Sequence, residues 1–360
     1  MEMVPSRKPP PPTRREWVRF LVFFGLTFLS VFVSYGWWWS GGDPFTDASA
    51  FSDSLLFAFG LMGILGAHEA GHYIVARRHG MDQTLPFFIP FPLAFGTLGA
   101  IIRLRTPPRT RSALLEMGAA GPLAGFAVAL VVLALGLPGT TGHAMPEVVL
   151  QWPPPAPEEP GLVLTALGAV LSVFVDLLPE METTNGLPLT IMANPPVMDL
   201  LGMMVIGEAP GRYDELTPLG LAGWAGCFLT AMNLLPIGQL DGGHVLRAVA
   251  PGVAEIVARV GLVVVAIAGF VYWPGWTVWA ILLWTMGAWR GLPASGLEAP
   301  SIRALCIGGL TAITLALCFM PTPIETETIP WSEMRVLDQN GRVIPPEELS
   351  GWWESNQVSH

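Results

Sequence analysis

Residues 65–80, "LGAHEAGHYIVARRHG", set two histidines and a glutamate into a run that otherwise reads as membrane-buried helix, and end on a basic cluster. His68 and His72 are four residues apart, which on an α-helix is about 40° of rotation and about 6 Å of rise, so both imidazoles can reach one ion. An ionisable side chain at the centre of such a helix costs on the order of 2.5–3.5 kcal/mol on insertion and is rarely kept without a partner. A histidine pair alone could be a helix-packing contact, but histidine, glutamate and histidine together point to a metal. Two neutral imidazoles leave a zinc ion short of its tetrahedron, so a third protein ligand and one open position are expected for catalysis. Glu69, beside them, is placed to take a proton from water and pass it to a leaving amine.

Composition agrees with a membrane setting. The chain has 360 residues, 52% hydrophobic and 13% charged, and its mean hydropathy of +0.52 lies outside the range of soluble domains. Apolar runs recur at about 17–39, 54–76, 113–137, 217–237, 256–273, 275–289 and 303–320, most of them near the ~20 residues that cross a bilayer. These give an α-helical polytopic fold with about six to eight transmembrane helices, and 161–178 and 187–207 are two further segments that either both cross or both lie at the surface. The first run exceeds a signal-peptide core and lacks a small-residue cleavage pattern, so it reads as a retained helix. The net charge of −10 comes largely from acidic loops and the tail and argues against nucleic acid. Cys227, Cys306 and Cys318 sit in apolar runs and read as small core residues rather than a disulfide framework.

Lysine and arginine set the orientation. Arg7, Lys8, Arg14, Arg15 and Arg19 hold the N-terminus in the cytoplasm; the acidic "GGDPFTDASAFSD" falls outside; and Arg77, Arg78, Arg103, Arg105, Arg109 and Arg111 bring the chain back. No Lys or Arg occurs from Ser112 to Gly211, so 138–215 is expected to be mostly extracytoplasmic. The organisation that results is a basic Pro-rich N-terminus at 1–16, a multi-span membrane domain at 17–320 with its core at 55–250, and an acidic outer tail at 321–360. The cell inner or plasma membrane is the expected location.

Depth selects the third ligand. From His72 to Arg77 is five residues, about 7.5 Å, and from His68 to Arg77 about 13.5 Å, so a metal here lies inside the bilayer nearer the cytoplasmic face. In "GWAGCFLTAMNLLPIGQLDGGHVLRAV", Asp241 stands six residues before the cytoplasmic Arg247, matching in depth and sign. The other reading makes it an interfacial helix end, with Gly242 and Gly243 terminating the helix. Asn233 can donate to an oxyanion or substrate carbonyl, or simply bond a neighbouring helix, and the residues alone leave both open. Gly118, Gly121 and Gly125 allow close helix approach, Glu116 reads as structural and His79 as interfacial.

The segment "LPFFIPFPLAFGTLGAIIRLR" is aromatic and β-branched, broken by Pro and Gly. It predicts a membrane-associated β-hairpin near the site whose edge could pair with an unwound substrate strand, the alternative being an interfacial anchor.

"AHEAGHYIVARRHG" at 67–80, "FFIPFPLAFGTLGAIIRLR" at 87–105, "MGAAGPLAG" at 117–125 and "AGWAGCFLTAMNLLPIGQLDGGH" at 222–244, in that order, resemble the site-2 protease family of intramembrane zinc metalloproteases. The resemblance is greatest to the branch named for ethylene-dependent gravitropism deficiency and yellow-green leaves, and it covers roughly 55–320. It implies that His68, His72 and Asp241 bind one catalytic Zn2+, that Glu69 activates water, and that Asn233 positions or polarises the scissile carbonyl. It further implies regulated intramembrane proteolysis of single-span membrane proteins already trimmed by another protease. The tail and the insert at 146–195 lie outside the matching motifs, and no segment long enough for a PDZ domain is present. The competing function is a membrane zinc carrier or sensor using the same ligands. A carrier needs a polar path to both faces, and the outer halves of these helices hold few ionisable residues.

Overall fold

A computed structural model describes residues 9–40, 42–140, 147–150, 186–285, 287, 298–330, 333, 335–338 and 340–349, which divide into two compact units. The larger is a helical bundle. Thr13 opens α1 (Arg14–Trp38) with a capping box in which Thr13 and Glu16 satisfy each other's backbone donors. Asp47 caps α2 (Ala48–Arg78), accepting from the backbone of Ser49 and Ala50, and Thr110 caps α3 (Arg111–Gly136). After α4 (Pro196–Val205) comes α5 (Pro218–Leu234), capped by Thr217 with Pro218 in its first turn. The bundle continues through α6 (Asp241–Val249), α7 (Pro251–Val271), α8 (Gly275–Thr285) and α9 (Ile302–Cys318).

Helices α2, α3 and α5 form the inner trio, with Phe57, Leu61, Leu133 and Trp224 fully buried on them. Their backbones approach closely: a Cβ on Gly71 of α2 would stand 2.3 Å from the Ala120 carbonyl oxygen of α3, a fit that only glycine allows. By contrast, α7 exposes Val253, Ile256, Val260, Val263, Val264, Ile267 and Phe270, an apolar outer surface suited to lipid.

Among the described residues four helices are long and apolar enough to cross a membrane: α1, α2, α3 extended to Gly139, and α7. The expected six to eight spans are therefore not all present as full-length helices. Helices α5 and α9 each have 17 residues, about 25 Å of rise against the ~30 Å of a hydrocarbon core. The run at 187–207 is not one helix but a strand followed by the ten-residue α4, about 15 Å long and too short to cross. The segment 161–178 lies outside the described residues.

The expected hairpin is present, with β1 (Phe87–Pro90) antiparallel to β2 (Thr97–Ile101) and an irregularity between Phe88 and Pro90. It climbs along α1. Phe87 packs on Phe23 and Phe88 on Phe20 and Phe24, while the tip at 92–95 bonds to Ser34, Trp38 and Trp39 near the far end of that helix.

The smaller unit joins the insert to the tail. Strand β3 (Glu147–Leu150) pairs in parallel with β6 (Arg335–Asp338), and β4 (Gly186–Met192) pairs antiparallel with β5 (Ile324–Pro330). Arg212 donates to Glu325 and Glu327 at 3.0 and 2.7 Å.

Candidate metal centre

Spacing on one helix and a turn between two others build the site. His68 and His72 project from the same face of α2, their Nε2 atoms 3.1 Å apart. The chain reaches them a second time through "LLPIGQLDGG". Helix α5 stops at Leu234, Pro236 follows in a tight turn, and α6 begins at Asp241. Gly242 and Gly243 therefore start a helix rather than end one, which corrects the interfacial-terminus reading of Asp241. Their lack of side chains decides this, because a Cβ at Gly242 would fall 1.9 Å from the Leu234 carbonyl oxygen and one at Gly243 2.6 Å from that of Gly238. Only glycines let the first turn of α6 fold back on the turn before it. Asp241 then meets both histidines, its Oδ2 lying 3.2 Å from His68 Nε2 and 3.3 Å from His72 Nε2.

The orientation of His72 is set from α3. Its Nδ1 lies 2.8 Å from the Met117 carbonyl oxygen, which can only accept, so Nδ1 carries the proton and the neutral ring turns its Nε2 lone pair towards the cluster. Gly121 leaves room for this ring, since a Cβ there would stand 2.1 Å from His72 Nε2. One α3 turn thus supplies both the ring's hydrogen-bond partner and the space it occupies.

These atoms fit a zinc ion. Two ligand atoms each about 2.0–2.1 Å from one tetrahedral zinc are about 3.3–3.4 Å apart, close to the 3.1, 3.2 and 3.3 Å between the two Nε2 atoms and the carboxylate oxygen. A lone pair facing a carboxylate oxygen at that range is repulsive unless positive charge lies between them. The donor set, two imidazoles and a carboxylate, is the one zinc takes at catalytic sites with a position left open. Among the described residues this is the group of His, Cys, Asp or Glu side chains that can hold a metal.

Glu69 is buried, 7% exposed, and follows His68 directly on α2. Asn233 is half-buried in the last turn of α5 and makes no hydrogen bond to the other site residues among those described. The structure therefore brings together four of the five residues singled out in the sequence. Two features near the site were missed: the Met117 carbonyl, which carried no sequence signal because every residue has one, and His244, which did. His244 lies on the buried face of α6, 8% exposed, with its Nδ1 unpartnered among the described residues and its Cβ against Gly118. Its place one turn after Asp241 was the available clue. His79 and Glu116 prove to be partners, with Nε2 and Oε2 3.0 Å apart at the basic end of α2.

The family model for peptidase family M50 matches residues 56–270, which holds both ligand-bearing segments. The chain belongs to that family. Among curated proteins it is 32% identical over 205 residues to "Probable zinc metalloprotease EGY2, chloroplastic" of Arabidopsis thaliana, covering 55% of this chain and 30% of that protein. It is 29% identical over 209 residues to the Arabidopsis protein named likewise EGY1, covering 57% and 30%. To the EGY3 protein of Oryza sativa subsp. japonica it is 26% identical over 225 residues, covering 62% and 33%. The chain thus spans about a third of the length of these family members. Their names place them in chloroplasts, which lends no support to the expected inner or plasma membrane. No solved structure matches.

Proposed function

We propose that this protein is an intramembrane zinc metalloprotease that hydrolyses peptide bonds within or near the transmembrane segment of single-span membrane proteins, after another protease has trimmed them. The observation that carries this reading is the triangle of His68, His72 and Asp241 at metal-ligand spacing, with Glu69 buried beside it on an apolar helix. Zinc bound there supplies Lewis acidity, which brings the pKa of water near 7 and polarises a peptide carbonyl. Glu69 accepts the proton of the attacking water and returns it to the leaving amine. His72 keeps its Nδ1 proton on the Met117 carbonyl, so its Nε2 stays a donor of electrons through the cycle. Asn233 donates to the carbonyl oxygen as charge develops.

A transmembrane helix hides its carbonyls in its own hydrogen-bond ladder and must unwind before attack. The hairpin receives the unwound strand by strand addition. β1 packs on α1 while β2 exposes Leu98 and Ile101, which leaves the β2 edge for the substrate. The basic segments face the cytoplasm or its organellar equivalent, and α5, α8 and α9 mark three further crossings, which gives seven spans.

Glu69→Gln tests the reading: zinc content should stay near that of the native enzyme while cleavage of a single-span substrate is lost. Comparison of membrane proteomes between native and Glu69→Gln cells should show substrate fragments accumulating in the mutant; zinc flux lost with proteolysis unchanged would favour a carrier. For the strand step, Ala100→Pro should abolish cleavage with zinc still bound, and retained cleavage would sink strand addition.

A further inference from the structure

We infer that Ser34 and Trp39 at the outer end of α1 are positioning residues that hold the hairpin in one register and so choose which substrate bond is cut. The inference rests on the strand-addition reading above.

The hairpin tip is held unusually hard for a loop. The Ala94 carbonyl oxygen accepts from Ser34 Oγ at 2.6 Å and from Trp39 Nε1 at 3.0 Å, and Trp38 Nε1 donates to the neighbouring Pro92 carbonyl at 3.3 Å. Ala94 itself sits at φ +52°, a left-handed conformation that costs a residue with a Cβ about 1–2 kcal/mol. Such a conformation persists where its surroundings over-determine it, and here two donors converge on one carbonyl. Gly96, at φ +82°, then lays its backbone on α1 so closely that a Cβ would stand 2.3 Å from Val31 Cα. Phe95 stacks on Trp39 with centroids 5.3 Å apart and planes within 8°. Ser34 is fully buried, so its hydroxyl has no water to trade for the Ala94 carbonyl.

The other end of the hairpin lies at the depth of the ligands. Helices α1 and α2 run antiparallel and touch at Phe28 and Phe59. Nine residues beyond Phe59 is His68, about 13.5 Å further along α2, and nine back from Phe28 is Arg19, next to the Phe20 on which Phe88 packs. A strand paired at Phe88 and Ala100 is thus level with His68. Any sliding of the hairpin along α1 moves the paired substrate past the metal ligands by the same distance. A displaced hairpin puts the first pairing out of line with the ligands, and because strand pairing repeats every two residues, about 6.4–6.8 Å, the substrate can then re-pair in the next register and present a different bond. Strand pairing alone does not fix the depth of the hairpin, but the Ala94 carbonyl held by Ser34 and Trp39 does, and with it the register that lines up with the ligands.

The test is the position of the cut, which a merely structural role would not move. Full-length Ser34→Ala/Trp39→Phe enzyme and the native enzyme are each incubated with one single-span substrate, the products are mapped by mass spectrometry, and zinc content is measured alongside. The native enzyme should cut one main bond. The double variant should add cuts displaced by two residues, each lost hydrogen bond raising the displaced fraction about fivefold, with zinc unchanged. Ser34→Thr, which keeps a hydroxyl, should retain the single cut. If the double variant is inactive or loses zinc, the single variants Ser34→Ala and Trp39→Phe are mapped instead, and each should show the displacement in smaller proportion. A single unchanged cleavage position in the active variants, at any rate of turnover, overturns the inference. Ala100→Pro separates the two ideas: if it cleaves normally the strand-addition reading has failed, whereas if it is inactive and the latch variants keep their bond, only the latch has failed.

Discussion

Replacing Gly121 by alanine puts the geometry of the metal centre to its most direct test. The new Cβ would stand 2.1 Å from His72 Nε2 and 2.4 and 2.5 Å from the ring carbons on either side, whereas ordinary contact begins at 3.4 Å. The ring, or the helix that carries it, must therefore retreat by about 1.3 Å, several times the ~0.2 Å over which a zinc–ligand distance is tolerated. The backbone of α3 cannot absorb the whole shift, because Gly71 already holds the Ala120 carbonyl of the same turn against α2. Retreat of the ring also breaks the bond from Nδ1 to the Met117 carbonyl, which fixes its tautomer. If zinc binding of about 10–16 kcal/mol is shared among the three protein ligands, losing His72 costs about 3–5 kcal/mol, a fall in affinity of at least about 100-fold. Zinc affinity is read by competition with a chromophoric chelator in detergent, with circular dichroism reporting that the helices persist. Gly125→Ala, whose Cβ would meet His68 Cβ at a tight but tolerable 3.1 Å, should lose much less, and Gly63→Ala, with open space around it, nothing. A Gly121→Ala enzyme that binds zinc as tightly as the native one would refute the placement of His72 over α3.

Gly242→Ala should be worse for folding than for binding alone, since its Cβ would meet backbone, the Leu234 carbonyl at 1.9 Å; a loss of several kcal/mol, seen as a large drop in thermal midpoint together with loss of zinc, is expected. Thr13→Ala removes the side-chain half of the α1 capping box, the hydroxyl that accepts from the Glu16 backbone, while the residue-13 amide can still donate to the Glu16 carboxylate; it should cost about 1 kcal/mol, appearing as faster proteolysis in the first turn of α1 with zinc content unchanged. Ala94→Gly relieves the left-handed strain at the hairpin tip, partly offset by the greater freedom of glycine in the unfolded chain, and should raise stability by up to about 1 kcal/mol. Arg212→Ala should shift the unfolding of the strand unit by less than about 1 kcal/mol, because its pairs with Glu325 and Glu327 are about half exposed; a larger shift would show that the unit depends on them.

Much of the molecule was legible because its signals are local or one-dimensional. The four-residue interval from His68 to His72 is a shared helix face wherever a helix forms. Asp241 could be found at a distance of 169 residues in sequence because the membrane turns position along the normal into a coordinate that basic residues mark. The apolar runs gave the helices to within a few residues, and "FFIPFPLAFGTLGAII" gave a hairpin. The run at 187–207 misled because apolar content alone does not distinguish strand from helix, and β4 found its partner in β5, more than a hundred residues away.

The sequence by itself determined the donor types and the helix that presents two of them, since each follows from residue identity and helical repeat. Only the tertiary structure decided how His72 is held by a carbonyl and a missing side chain on α3, that Gly242 and Gly243 begin the helix of Asp241, that insert and tail share strands, and that α1 grips the hairpin tip. The physical reason is common to all four. Backbone carbonyls and the space left by a glycine are features every segment possesses, and they acquire meaning only when distant parts of the chain are packed against them.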